Sequence, residues 1–161
     1  ILNVTKNAED ICLNFPADDP ELQEMDALFA EALGKSPIEI LRGTDDFLAV
    51  FETEQQIQTM NPDFTKLAKI NSRGVVISAP GNDVDFVSRC FFPQTGVDED
   101  PVTGSAHTML IPYWAKQLDK IEFKAHQLSA RGGALDCKLI NNRVLMSGKS
   151  VIYFEGMISI I

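Results

Sequence analysis

The chain is 161 residues long, with 14 Lys and Arg against 23 Asp and Glu, a formal charge of −9 and a pI of about 4.6. That length suits one ordinary domain or two small lobes, and the acidity argues against nucleic acid as a partner, because nothing offsets repulsion from a phosphate backbone. A hydrophobic share of 45 % with 23 % charged residues excludes a disordered acidic segment.

The chain starts at Ile1 rather than Met, in a stretch that already reads as a strand, as expected of a processed, clipped or subcloned piece. Residues 11–15, ICLNF, read as a strand ended by Pro16. Asp19 is placed to cap a helix with Pro20 at its first position and Glu21 in its first turn. Leu22, Met25, Phe29 and Leu33 form its apolar stripe, and Gly34 its stop. FLAVF at 47–51 and VVISA at 75–79 read as strands, separated by a short polar helix near 54–60 and an Asn61-Pro62-Asp63 start leading into Phe64, Leu67 and Ile70. After a turn at Pro80, Gly81 and Asn82, residues 85–92 place Phe86, Ser88, Cys90 and Phe92 on one strand face and Val87, Arg89 and Phe91 on the other. Both faces carry bulk, which predicts a strand between two packed layers.

Residues 104–118, GSAHTMLIPYWAKQL, read as a helix with a polar entrance and an apolar body, loosened at Pro112. Short strands follow at 121–124, 135–140, 144–146 and 151–154, with Asn141-Asn142 as a hairpin turn. Many short strands with few helices predict an α+β fold. No apolar run approaches the roughly 20 residues of a membrane span. Cys12, Cys90 and Cys137 are odd in number and lack CxxC spacing, which predicts core thiols and a cytoplasmic setting.

The densest polar run is Asp98 to His107, DEDPVTGSAH, a turn entering a helix whose first N–H groups have no intrahelical partners. Such an end can hold a carboxylate or phosphate, and Gly104 admits close approach of a ligand. A carboxylate at this mouth would be partly desolvated, which raises its pKa against the pull of the helix end. Asp100 then reads as a proton donor or a ligand-orienting group, and the spacing does not choose between them. The same residues also read as an elaborate cap, with Thr103 or Ser105 as its hydroxyl and His107 as a structural histidine. Gln127, Ser129, Arg131, Gly132 and Gly133 form a second polar group, in which Arg131 is suited to pair with an acid of the DEDP loop or to contact an anion. His126 has no second histidine at a zinc spacing, so no metal is expected.

The runs DFVSRCFFPQTGVDEDPVTGSAHTMLIPYWAKQL and QLSARGGALDCKL, with LNFPA, NPDF and GVVISA upstream, resemble the C-terminal half of the phenazine-biosynthesis PhzF-like family. That family is similar in fold to diaminopimelate epimerases, with two pseudosymmetric α+β lobes, each a strongly curved sheet or barrel around a central helix, and a site in the cleft between them. The resemblance implies that residues 1–161 are the C-terminal lobe, with helix 104–118 at its centre and the N-terminal lobe absent. It implies a cofactor-independent isomerase, the characterised member acting on a dihydro-hydroxyanthranilate-type substrate without cofactor or metal. The family's acid/base glutamate and its Gly-His histidine belong to the other lobe, so this chain alone is expected to be incomplete for catalysis. The aspartate and serine of the family's EDPxTGS motif fall on Asp100 and Ser105, with Gly104 before the serine. Asp100 is thereby implied as catalytic and Gly104 and Ser105 as substrate-binding. The implied partners are a small carboxylate substrate and the missing lobe, with homodimer formation open and no membrane. A non-catalytic anion-binding or interaction domain and an amino-acid racemase or epimerase remain as alternatives, although strand-borne cysteines do not support the two-cysteine arrangement of such epimerases.

Overall fold

The computed structural model describes residues 2–7, 10–151 and 153–159. In chain order the elements are β1 (Asn3–Asn7), β2 (Asp10–Pro16), β3 (Glu21–Leu22), α1 (Ala27–Leu33), β4 (Glu39–Arg42), β5 (Asp46–Val50), α2 (Glu54–Gln58), α3 (Phe64–Leu67), β6 (Gly74–Pro80) and β7 (Phe86–Phe92). A 3₁₀ turn over Pro93–Thr95 then leads to β8 (Val97–Asp100), α4 (Gly104–Leu118), β9 (Glu122–Gln127), β10 (Gly133–Ile140) and β11 (Arg143–Lys149).

The described strands form one mixed sheet in the order β1-β2-β11-β10-β9-β7-β6-β5-β4-β3, with β8 paired to β7 off that path. The sheet is open, ending at β1 and β3, so of the curved sheet and the barrel it is the open form that is seen. Most neighbours are antiparallel. β5 with β6 and β7 with β9 are parallel, and α4 lies in the crossover of the second pair.

Alternation along the central strands divides the interior in two. Leu48, Val50, Val76, Phe86, Cys90 and Phe92 face α4, whereas Ala49, Phe51, Val75, Ile77, Val87 and Phe91 face α1 to α3. Strands β5 to β7 are thus buried on both faces, as the double bulk of residues 85–92 predicts. Beyond them β9 buries only Phe123, Ala125 and Gln127 and exposes the residues between. Met109, Leu110 and Trp114 of α4 are buried in the first interior. The Trp114 ring stacks on Phe86 with centroids 5.6 Å apart, and its indole N–H donates to Ser78 Oγ at 3.0 Å.

Pro112 sits inside α4 without ending it. Its missing N–H would have bonded the Thr108 carbonyl, and that carbonyl instead accepts the Asp18 N–H at 2.9 Å. The Asp18 carboxylate in turn accepts from the Thr44 N–H and hydroxyl at 2.9 and 2.8 Å. The interior proline therefore docks the segment after β2 onto the helix.

Two expected elements differ. Helix α1 starts at Ala27, capped by Asp26 rather than Asp19, and Leu22 and Met25 are exposed. Residues 21–22 are held extended by pairing with Leu41 and Arg42 of β4, and the Gln23 N–H donates to the Ile40 carbonyl at 2.8 Å. Sheet-edge hydrogen bonds thus outweigh the apolar spacing there. At the other end, Val151, Tyr153 and Phe154 are not in a strand and are exposed, and Ile152 lies outside the described residues. Among the described residues, pairing of β11 with β2 ends at Lys149 and Asp10, and no strand partner of Val151, Tyr153 or Phe154 is seen. No described helix is long and apolar enough to cross a membrane.

Candidate functional site

The DPVTGS segment connects β8 to α4. Asp100 pairs across the sheet with Cys90 of β7, which seats the segment over the central strands. Buried Gln127, the last residue of β9, clasps it: its side-chain carbonyl accepts the Thr103 N–H at 2.8 Å, and its amide donates to the Asp100 carbonyl at 2.8 Å and to Thr103 Oγ1 at 3.2 Å. The Ser129 hydroxyl donates to the Pro101 carbonyl at 2.7 Å. Val102 lies against Gly133, where an added Cβ would meet Val102 Cγ2 at 2.4 Å.

Thr103 is the N-cap residue of α4, but its hydroxyl makes no cap bond. Its O–H donates to Asp100 Oδ2 at 2.5 Å, and its oxygen accepts from Gln127 Nε2 at 3.2 Å rather than from a helix amide. The first amides of α4 consequently lack the side-chain acceptor that Ser or Thr ordinarily supplies. Among the described residues, no protein acceptor is found for the N–H groups of Gly104 or Ser105. A Cβ on Gly104 would make only ordinary contact with Leu13, at 3.5 Å, so packing does not demand glycine there.

The three consecutive acids have separate fates. Asp98 is exposed. Glu99 receives Arg89 at 2.7 and 2.9 Å, and Arg89 also donates to the Ile57 and Met60 carbonyls at 3.2 and 2.7 Å, which ties β8 to β7 and α2. Asp100 alone turns to the helix entrance. On the other side of that entrance stands Arg73, which donates from Nη2 to Ser105 Oγ at 3.1 Å while its Nε donates to Asp46 at 2.9 Å.

His107 is fully buried behind the loop, with Nδ1 2.8 Å from the Thr103 carbonyl. A carbonyl only accepts, so Nδ1 carries the proton of the neutral ring. Nε2 has no partner. Burial pushes the imidazole pKa down, against the opposing effect of the Thr103 carbonyl, and keeps the ring neutral. The Cys90 thiol is also buried. Desolvation pushes its pKa up, with Asp100, Asp46 and Glu99 adding to the rise against a hydrogen bond with Thr103. It is a protonated core thiol rather than a nucleophile, and Cys137, pushed up to about 12 first by burial, is another.

Asp100, Gly104 and Ser105 thus converge at one helix entrance. Arg131 does not join them: it is exposed and makes no ion pair among the described residues. Gln127 and Ser129 hold the loop through its backbone, leaving no task for an arginine there. Sequence reading missed Arg73, Asp46 and the Arg89–Glu99 pair. Of these, Arg89 carried the signal of a charged residue inside an otherwise apolar strand run. Two clefts of about 630 and 480 Å³ lie elsewhere, on the outer face of β9 to β11 and at the C-terminal end of α4, and neither is lined by Asp100, Gly104 or Ser105.

A family model described as phenazine biosynthesis-like protein matches residues 3–156. The chain belongs to the PhzF-like family. It is 45 % identical over 157 residues to an uncharacterised isomerase of Pseudomonas aeruginosa, covering 98 % of this chain and 60 % of that protein. An uncharacterised isomerase of Halalkalibacterium halodurans is 42 % identical, over 94 % of this chain and 58 % of its own length. Among solved structures, a PhzF-family protein of Enterococcus faecalis superposes with a TM-score of 0.91 at 40 % identity, covering 95 % of this chain and 59 % of that one. A PhzC/PhzF protein of Clostridium difficile gives 0.88 at 37 % identity, over 99 % of this chain and 61 % of the other. The chain spans about 60 % of the length of these PhzF-like relatives.

Proposed function

We propose that residues 100–105 form one wall of the active site of a cofactor-independent isomerase acting on a small carboxylate, and that this chain is the C-terminal lobe of that enzyme. The reading rests on the PhzF-like relatives named as isomerases and, in the chain itself, on one observation. The Thr103 oxygen accepts from Gln127 and caps no amide of α4, so among the described residues the Gly104 and Ser105 amides have no protein acceptor, and the Asp100 carboxylate, held by the Thr103 hydroxyl, stands beside them. Free amides at a helix start suit a substrate carboxylate, and the adjacent Asp100 suits proton movement. A complementary proton-transfer group is to be sought in the part of its relatives that this chain does not span. Substrate and lobe together are the partners of this surface, and three free cysteines fit a reducing, cytoplasmic setting.

The test is deuterium incorporation from D₂O into a panel of small unsaturated carboxylates by the full-length protein. Wild type exchanges a substrate hydrogen, and Asp100→Asn, which keeps the acceptor for Thr103, lowers exchange about 10²–10⁴-fold while leaving substrate affinity near its original value. Binding without exchange by wild type would favour the non-catalytic anion-binding domain instead. Unchanged exchange in Asp100→Asn would remove Asp100 from the chemistry.

A further inference from the structure

Ser105 Oγ is held by a cation that is itself held rigidly. Asp46 opens β5 and Gly74 opens β6, and these two residues are register partners in a parallel pair, which places Arg73 beside Asp46. The Asp46 side chain is nearly buried, and both of its oxygens take hydrogen bonds from Arg73, from Nε and from Nη2. The Arg73 N–H donates to the Asp45 carbonyl at 2.9 Å, and the guanidinium lies 5.5 Å from the centroid of the Phe92 ring. A planar guanidinium fixed by a two-point carboxylate contact has little freedom left. From this seat Nη2 reaches Ser105 Oγ at 3.1 Å.

Arginine has donors and no acceptor, so Ser105 Oγ accepts from Arg73 and its own O–H points elsewhere. Among the described residues that O–H donates to no protein group. Resting on the active-site reading above, we propose that Arg73 is a positioning residue that commits the Ser105 hydroxyl to donate to a substrate oxyanion at the α4 entrance. Asp46 neutralises Arg73, so the device supplies direction and polarisation rather than net positive charge. The substrate oxygen is a carboxylate or enolate oxygen that receives the Ser105 O–H together with the uncapped amides. Arg73 acts through Ser105 and does not itself contact the substrate.

A double-mutant cycle on the full-length protein tests this, with benzoate as the probe and the backbone amide NMR shifts of Gly104 and Ser105 as the reporter. Benzoate shifts both amides in wild type, and Ser105→Ala and Arg73→Gln each weaken its binding about tenfold, the scale of one lost hydrogen bond to a charged group. In the Ser105→Ala background Arg73→Gln costs nothing further. Because Arg73→Gln leaves the Asp46 carboxylate unpaired, the cycle is repeated with Arg73→Gln/Asp46→Asn, which removes both charges, and the same loss confined to the Ser105 background is expected. Equal losses with and without Ser105 would overturn the proposal in favour of direct contact or general loosening. An undiminished affinity in Arg73→Gln beside a loss in Ser105→Ala would overturn it while leaving the active-site reading standing. Wild-type amides that do not respond to benzoate would overturn the site reading and the proposal with it.

Discussion

Residues 100–103 and residues 104–105 adjoin in sequence, yet the fold treats them in opposite ways. The first group is strapped down: Gln127 satisfies two of its backbone groups, Ser129 a third, and Gly133 makes room for Val102. The second keeps its amides without an acceptor among the described residues, and a Cβ on its glycine would make only ordinary contact. A rigid strap beside an unsatisfied pair of donors is the arrangement in which a ligand can be bound without ordering the loop that binds it. The contrast also separates two kinds of residue, those whose loss unfolds the loop and those whose loss leaves it intact but idle.

The largest effect falls on the strap. Gln127→Ala removes the partners of the Thr103 N–H and the Asp100 carbonyl inside the protein, and a stability loss of about 2–4 kcal/mol is expected in urea unfolding. A loss within about 0.5 kcal/mol would erase the contrast. Gly133→Ala drives a methyl into Val102 and is expected to cost about 1–3 kcal/mol, with amide shift changes spreading over residues 100–103. Acid provides a third probe. His107 has its folded pKa pushed below its ordinary value of 6.5 by burial, so the unfolded chain binds a proton that the folded chain refuses. Stability is therefore full above about 6.5 and falls as pH drops below it. Urea midpoints measured from pH 7.5 to 5 are expected to decline in wild type and to flatten in His107→Gln. The smallest effect lies on the open half: Gly104→Ala should leave stability unchanged or raise it by up to about 1 kcal/mol through helix propensity, while weakening benzoate binding at the entrance. A marked destabilisation would show that packing, rather than ligand approach, requires this glycine.

Helix α4 was legible over its full length because a 15-residue apolar pattern ends cleanly on both sides. Strand β7 was legible on both faces because its alternation carries bulk in each register. The start of α1 was not, because whether Leu22 lies on a helix or an edge strand is decided by β4, a partner outside any local window. Val151, Tyr153 and Phe154 show the complementary point: a strand pattern forms a strand only beside a neighbour, and none of the described residues pairs with them. At the site, the clustered motif brought Asp100, Gly104 and Ser105 forward. Arg73 stayed hidden because only the parallel register of β5 and β6 carries it to Ser105. Arg131 drew notice as a charge, whereas the less conspicuous Gln127 in the same group holds the loop, since backbone groups need a side chain that both donates and accepts.

The sheet's connectivity bears on how the molecule comes into being. Strand β2 joins β1 through a local hairpin, but its other edge belongs to β11, the last strand described, with Pro16 opposite Arg143. That ladder closes a loop of nearly the whole chain, and the parallel β7–β9 pair must wait for α4 to be laid across it. Such non-local closures exact their entropy before any contact repays it. Folding should therefore be slow for a domain of this size, with the β10–β11 hairpin and the α1–α3 layer forming early and the β2–β11 seam last. Leu13, which that seam carries, lies beside Gly104, so the helix entrance is expected to gain its last neighbour only when the seam closes.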